Sequence, residues 1–145
     1  MINEFELKFK AVLANELLAR NAVMSFLSPL NPSYETLCEF KTIISEGVSN
    51  AIIHGYKFDN SKDVYLKVVV YENDVEISIR DFGVGIDDVN EARMPHYTSR
   101  PDLERAGMGL TIIESLSDSL RISSIPGTGV KLIIRKKLLT QYINE

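Results

Sequence analysis

The chain has 145 residues, 45% of them hydrophobic and 25% charged, with 16 basic against 20 acidic side chains and a formal net charge of −4. That length suits one domain with a core that needs no covalent staples, and it excludes a eukaryotic-type protein kinase, a dehydrogenase with its own substrate domain or a multidomain motor. The acidic balance speaks against nucleic acid or an anionic membrane as main partner, and the lone cysteine, Cys38, rules out an intrachain disulfide and a cysteine zinc cluster. No apolar run approaches a membrane span and no signal segment opens the chain, so a cytoplasmic protein is expected.

Phe5, Leu7 and Phe9 alternate with Glu6, Lys8 and Lys10, the pattern of a half-buried strand. From Leu13 to Leu27 the period turns helical, and Ser28-Pro29 with Asn31-Pro32 marks its end. Ser33 is placed to cap a long helix from Thr36 to His54, stopped near Gly55. Val64 to Tyr71 and Val75 to Arg80 are predicted strands joined as a hairpin through Asn73-Asp74. The stretch from Asp87 to Ala106 has little periodicity, and a loop of that length is either a lid or a disordered insertion. A short helix from Gly107 to Leu116, a strand from Leu120 to Ile125, a turn at Pro126-Gly127-Thr128-Gly129 and a strand from Val130 to Lys136 complete the chain. Tight turns between consecutive strands imply a mixed, mostly antiparallel sheet with the helices on one face, a two-layer α/β (α+β) sandwich. The basic run Lys131, Arg135, Lys136 and Lys137 is expected on an edge strand, where lysines discourage aggregation.

Four short patterns carry chemistry. Glu46, Asn50 and His54 recur every fourth residue along the long helix, where a carboxylate and a carboxamide one turn apart suit a general base and a hard-cation ligand, or form a solvated polar stripe. Gly47 between them disfavours the helix and suggests that something approaches the backbone closely. Asp81-Phe82-Gly83-Val84-Gly85 ends a strand: Asp81 can accept a hydrogen bond from an exocyclic amine, although such a sequence is often only a turn. Its Asp-Phe-Gly triplet matches that of eukaryotic kinases, but none of the companion motifs is present. Arg105-Ala106-Gly107-Met108-Gly109-Leu110 opens a helix, and free amides at a helix start form an anion site. Thr128, between Gly127 and Gly129, offers a hydroxyl or merely belongs to a hairpin turn.

The order ExxxN, DxGxG, long loop, GxGL and GTG resembles the nucleotide site of the GHKL (Bergerat-type) superfamily, which holds gyrase B, MutL, heat-shock chaperone ATPases and histidine kinases. The resemblance runs from Glu46 to Val130 and covers nearly the whole chain. It implies one ATP-binding domain over residues 1–145 with a lid at about 87–106. It further implies that Glu46 is the general base, that Asn50 ligates Mg2+, and that Asp81 binds the adenine amino group. Gly83 and Gly85 would then shape the pocket beside Thr128, Gly107 and Gly109 would wrap the phosphates, and Arg105 would reach the γ-phosphate. Ala106 stands where relatives commonly have a further glycine, which implies a stiffer lid.

The length leaves no room for the second domain of the gyrase and MutL types or for a phosphoacceptor hairpin; the two histidines are His54 and His96. Ser45 to Tyr56 is most similar to the bacterial anti-sigma factors that are serine kinases, in particular those of sporulation. That resemblance implies a protein that binds and inhibits a sigma factor and, with Mg-ATP, phosphorylates a serine of an anti-anti-sigma protein. An ATP-gated binding module, a slow ATPase or the equivalent regulator of a stress-response sigma factor are the alternatives. On the first helix, Leu13, Leu17, Met24 and Leu27 form one apolar stripe and Val12, Ala19, Val23 and Phe26 another. Glu16 and Arg20 fall between the stripes, either as an intrahelical ion pair or with Arg20 facing a partner or the second subunit of a homodimer. Cys38 reads as a small core residue and His54 as a polar residue at the helix end.

Overall fold

The computed structural model describes residues 2–86 and 109–141. Alternation of β-branched and polar residues produces five strands: β1 (Asn3–Lys10), β2 (Asp63–Val70), β3 (Asp74–Asp81), β4 (Ser119–Ile125) and β5 (Gly129–Lys137). They form one sheet in the order β1-β2-β3-β5-β4, and every neighbouring pair is antiparallel, so the expected mixture of directions is absent from it. The hairpin between β2 and β3 closes with the Tyr71 amide donating to the Asp74 carbonyl at 2.7 Å.

Register decides which side chains share a face, because strand side chains alternate. Leu66 opposite Ile79 and Ile77 opposite Ile134 align Val64, Leu66 and Val68 with Ile77, Ile79, Leu132 and Ile134 on one buried face. Among the described residues three helices cover it: α1 (Ala14–Leu27), α2 (Tyr34–Asn50) and α3 (Gly109–Leu116). Helix α2 lies between the others and buries Phe40, Ile43, Ile44 and Val48 completely. Each such side chain contributes roughly 1.5–3 kcal/mol by leaving water. Ser33 caps α2, its Oγ accepting from the Thr36 amide at 3.2 Å. Its own amide donates to Leu139, and Gln141 donates to Asn31, so the end of the described chain is tied to the α1–α2 connection.

Two expectations are corrected. The long helix is α-helical only to Asn50; Ala51–Gly55 is a π-turn, with the Tyr56 amide reaching back five residues to Ala51 at 2.9 Å. The basic run is not on an edge: β5 lies between β3 and β4, because the chain returns through β4 before pairing with β3. Lys136 consequently faces the helices, where its Nζ meets Glu39 and the Leu116 carbonyl at 2.9 and 2.6 Å.

Candidate functional site

Asp81 is the last residue of β3, and strand alternation turns its carboxylate toward the helices opposite Val130. It is 5% exposed, the one buried ionisable side chain among the described residues apart from tyrosine. Its Oδ1 accepts a hydrogen bond from the Gly83 amide at 2.9 Å. Burial pushes its pKa up to about 6, while the amides of Gly83 and Val130 pull the other way.

Glycine backbone packs closely around this carboxylate. A Cβ on Gly55 would lie 2.6 Å from the Asp81 Cγ, and a Cβ on Gly83 would run into the Gly55 carbonyl oxygen. That carbonyl instead accepts from the Val84 amide at 3.0 Å. The π-turn that delivers Gly55 is a feature frequent at functional sites. Lys57 and Phe58, both with positive φ, then turn the chain away. Tyr56 fixes the same loop from the other side: its hydroxyl donates to the Asp63 carbonyl at 2.6 Å and accepts from the Phe82 amide at 2.7 Å. Beyond, the Gly127 amide donates to the Val84 carbonyl at 2.6 Å, and the Ile86 amide donates to the Ser124 hydroxyl at 2.6 Å. Gly85 adopts φ 79°, where a side chain would be strained. The DxGxG segment is therefore stitched to the end of α2 and to the β4–β5 turn.

Glu46 and Asn50 are half-buried on one flank of the apolar stripe of α2, so they are not a fully solvated stripe. His54 falls within the π-turn. The close approach expected at Gly47 is present: a Cβ there would collide with Ile79 Cδ1, so it is β3 that comes close. Gly109 is buried at the start of α3. Thr128 is exposed in the β4–β5 turn and lines a cleft of about 110 Å³ to which Asp81 also contributes. Arg105, Gly107 and the expected lid at about 87–106 lie outside the described residues. On α1, Ala19, Val23 and Leu27 are buried, while Leu13 and Leu17 stay 47% and 50% exposed. Arg20 Nε lies 3.4 Å from Glu16 Oε1, so the intrahelical pair forms.

Gly55, Tyr56 and Ser124 were not expected here. Gly55 reads in sequence as an ordinary helix stop, and nothing local announces that its carbonyl receives a loop thirty residues away; a buried tyrosine directly after a helix-ending glycine is the one available signal.

Residues 9–136 match the histidine kinase-like ATPase domain family. An anti-sigma F factor of Oceanobacillus iheyensis is 49% identical over 138 residues, covering 95% of this chain and 94% of the relative. One from Shouchella clausii is 46% identical over 140 residues, covering 97% and 96%. The crystal structure of the RsbU and RsbW domains of a Mycobacterium tuberculosis protein superimposes with a TM-score of 0.69 at 16% identity, over 98% of this chain and 35% of that longer one, a likeness of fold. No helix among the described residues is long and apolar enough to cross a membrane. With a family match over residues 9–136 and relatives of this identity over nearly its full length, the chain belongs to the histidine kinase-like ATPase domains and, among them, to the anti-sigma F factor family.

Proposed function

We propose that this chain is a cytoplasmic anti-sigma factor that inhibits a sporulation sigma factor and uses Mg-ATP to phosphorylate a serine of an anti-anti-sigma protein. The observation that carries the nucleotide reading is the buried Asp81 carboxylate, held by glycine backbone and contributing to the cleft that Thr128 lines. A buried carboxylate at a cleft suits a ligand with an amino donor, and adenine has one. The 46–49% identical relatives, all anti-sigma F factors, support the regulatory reading.

All 145 residues are assigned to one nucleotide-binding domain. Asp81 accepts from the adenine amine, Gly83 and Gly85 shape its seat, and Thr128 contributes its hydroxyl at the rim. Gly107 and Gly109 hold phosphate oxygens through backbone amides, and Arg105 balances charge at the γ-phosphate. Asn50 is the side chain that would hold Mg2+, which supplies charge neutralisation of the phosphates. In the transfer, the acceptor serine oxygen forms its bond to the γ-phosphorus as the bond to the β,γ-bridging oxygen breaks. Glu46 takes the serine proton, and ADP departs.

The sigma factor is assigned to the edge of α1. Leu13 and Leu17 leave apolar surface uncovered beside the Arg20–Glu16 pair, and the buried Arg20 Nε and Glu16 Oε1 have no hydrogen-bond partner of proper geometry. A homodimer is the assembly we assign in solution.

Incubation of the purified chain with γ-labelled ATP, Mg2+ and candidate anti-anti-sigma proteins tests the activity. Label on a partner serine is expected; release of inorganic phosphate alone identifies a slow ATPase, and ATP binding without turnover an ATP-gated binding module. Glu46→Ala should abolish transfer while retaining ATP binding, and transfer by that variant would remove Glu46 as base.

A further inference from the structure

The face of the sheet turned away from the helices carries a charge pattern that the nucleotide site does not use. Arg80 and Lys131 stand directly opposite each other on β3 and β5, and like charges in that relation destabilise a sheet. Arg121, alternating with buried Leu120 on β4, projects from the same face one strand further on. Elsewhere on this face cations meet carboxylates: Arg135 lies 2.9 Å from Glu76, Lys10 3.1 Å from Asp63, and Lys67 3.6 Å from Glu4. Among the described residues neither Arg80 nor Lys131 has a carboxylate partner. At this end of the face, β4 and β5 contribute no acidic side chain at all. A chain with net charge −4 thus gathers three cations on adjacent strands, none of them in an ion pair with a carboxylate among the described residues.

The surroundings are those of a protein interface. The Arg80 guanidinium lies 4.5 Å above the Phe82 ring, and Phe82 packs edge-on to Tyr65 at 5.5 Å. Stacking holds the arginine in one orientation, so less freedom remains to be lost on binding. Phe82 is 51% exposed and Ile125 62%, which leaves apolar surface on both sides of the cleft that Arg80 and Lys131 line with Ser123 and Thr128. Aromatic rings, an arginine and a central pocket are the composition of binding anchors.

We infer that this open face, centred on Arg80 and Lys131, docks an acidic segment of a protein partner, with a carboxylate seated between the two cations and apolar side chains against Phe82 and Ile125. Nucleic acid is the poorer occupant, because the carboxylates of Glu76, Asp74 and Glu4 share the face and interrupt a phosphate track. Arg80 and Lys131 alternate with Asp81 and Val130, so their side chains leave the sheet on the side opposite the Asp81 carboxylate. Asp81 and Thr128 also line the cleft, but the docking reading draws on the two cations and the exposed rings and on no adenine contact.

The test is fluorescence anisotropy with the full chain and a short labelled peptide of alternating glutamate and leucine. The same peptide with glutamine for glutamate, inorganic phosphate as competitor and an oligouridine complete the set. The acidic peptide should bind, the glutamine peptide at least about tenfold more weakly, and Lys131→Glu should weaken binding by about tenfold or more. Lys131→Gln serves if the reversed charge disturbs the sheet, and ATP affinity, measured in parallel, should be unchanged in either variant. Absence of binding, equal binding of the glutamine peptide, or indifference to both variants overturns the proposal. So does oligouridine binding that is tighter and equally sensitive to Lys131, or full displacement of the peptide by phosphate at equal concentration.

Discussion

The end of α2 and the first half of α1 lie in the same helical layer over the same sheet and are finished in opposite ways. Around Gly55 backbone meets backbone: its carbonyl receives the Val84 amide, its Cα faces the Asp81 carboxylate, and no carbon can be added. Along α1 side chains are left over, with Leu13, Leu17 and Leu18 about half exposed. Backbone packed against backbone is held in one geometry by its own contacts, whereas the exposed leucines leave apolar surface that the isolated chain does not cover. The same contrast separates two kinds of mutational effect, because steric overlap is felt in the isolated chain and uncovered surface only in the complex.

Gly83→Ala should have the largest effect. The added carbon meets the Gly55 carbonyl, which cannot swing aside as a side chain end would, so about 3 kcal/mol or more should be lost in urea unfolding. Leu17→Ser, on the exposed side of the comparison, should stay within about 0.5 kcal/mol of the parent by the same measurement. A reversal of that order would break the contrast.

Asp81 adds a pH signature. Its folded pKa of about 6 lies above the ordinary 3.8, so its contribution to stability is fully present below pH 4 and is lost as pH rises through 6. The span is about 3 kcal/mol. Unfolding of the parent compared with Asp81→Asn from pH 4 to 7 should show the difference, the asparagine variant lacking this slope. The proposed adenine contact would favour the carboxylate, so on that proposal ATP affinity of the parent should weaken as pH falls below about 6.

Tyr56→Phe should cost about 1–2 kcal/mol, because the Asp63 carbonyl and the Phe82 amide both lose their partner. Thermal unfolding measures it, and a drop in ATP affinity should accompany it, since Phe82 follows Asp81 directly. A smaller change in stability than that of Tyr56→Phe is expected from Arg20→Glu. It exchanges an intrahelical pair for a repulsion of about 0.5 kcal/mol, yet sigma-factor binding should fall by about tenfold or more. Unchanged sigma binding would return Arg20 to the role of an ordinary helix ion pair.

The secondary structure was legible within a few residues because its signals are local. The alternation in β1, the Ser33 cap and the glycines at the β4–β5 turn each act within a turn or a strand. The patterns that contain Glu46, Asn50 and Asp81 can be read for a related reason: they are short, and their order along the chain carries the resemblance. The place of β5 was not legible, since strand order depends on how the chain returns after α3, and Lys136 reads identically on an edge or inside a sheet. At Gly47 the close approach was legible but not what makes it, because the atom concerned belongs to Ile79, more than thirty residues away.

The amino-acid sequence by itself determined the elements, their faces and the four patterns that announce a nucleotide site, since hydrophobic period, caps and turn residues act on neighbours a few positions apart. Only the tertiary structure decided what surrounds Asp81: the π-turn that brings up Gly55, the Tyr56 hydroxyl that holds Phe82, and the burial that raises the carboxylate's pKa. These are contacts between backbone groups distant along the chain. A backbone group carries no residue-type signature, so such contacts become visible only when the strands and helices have been brought together.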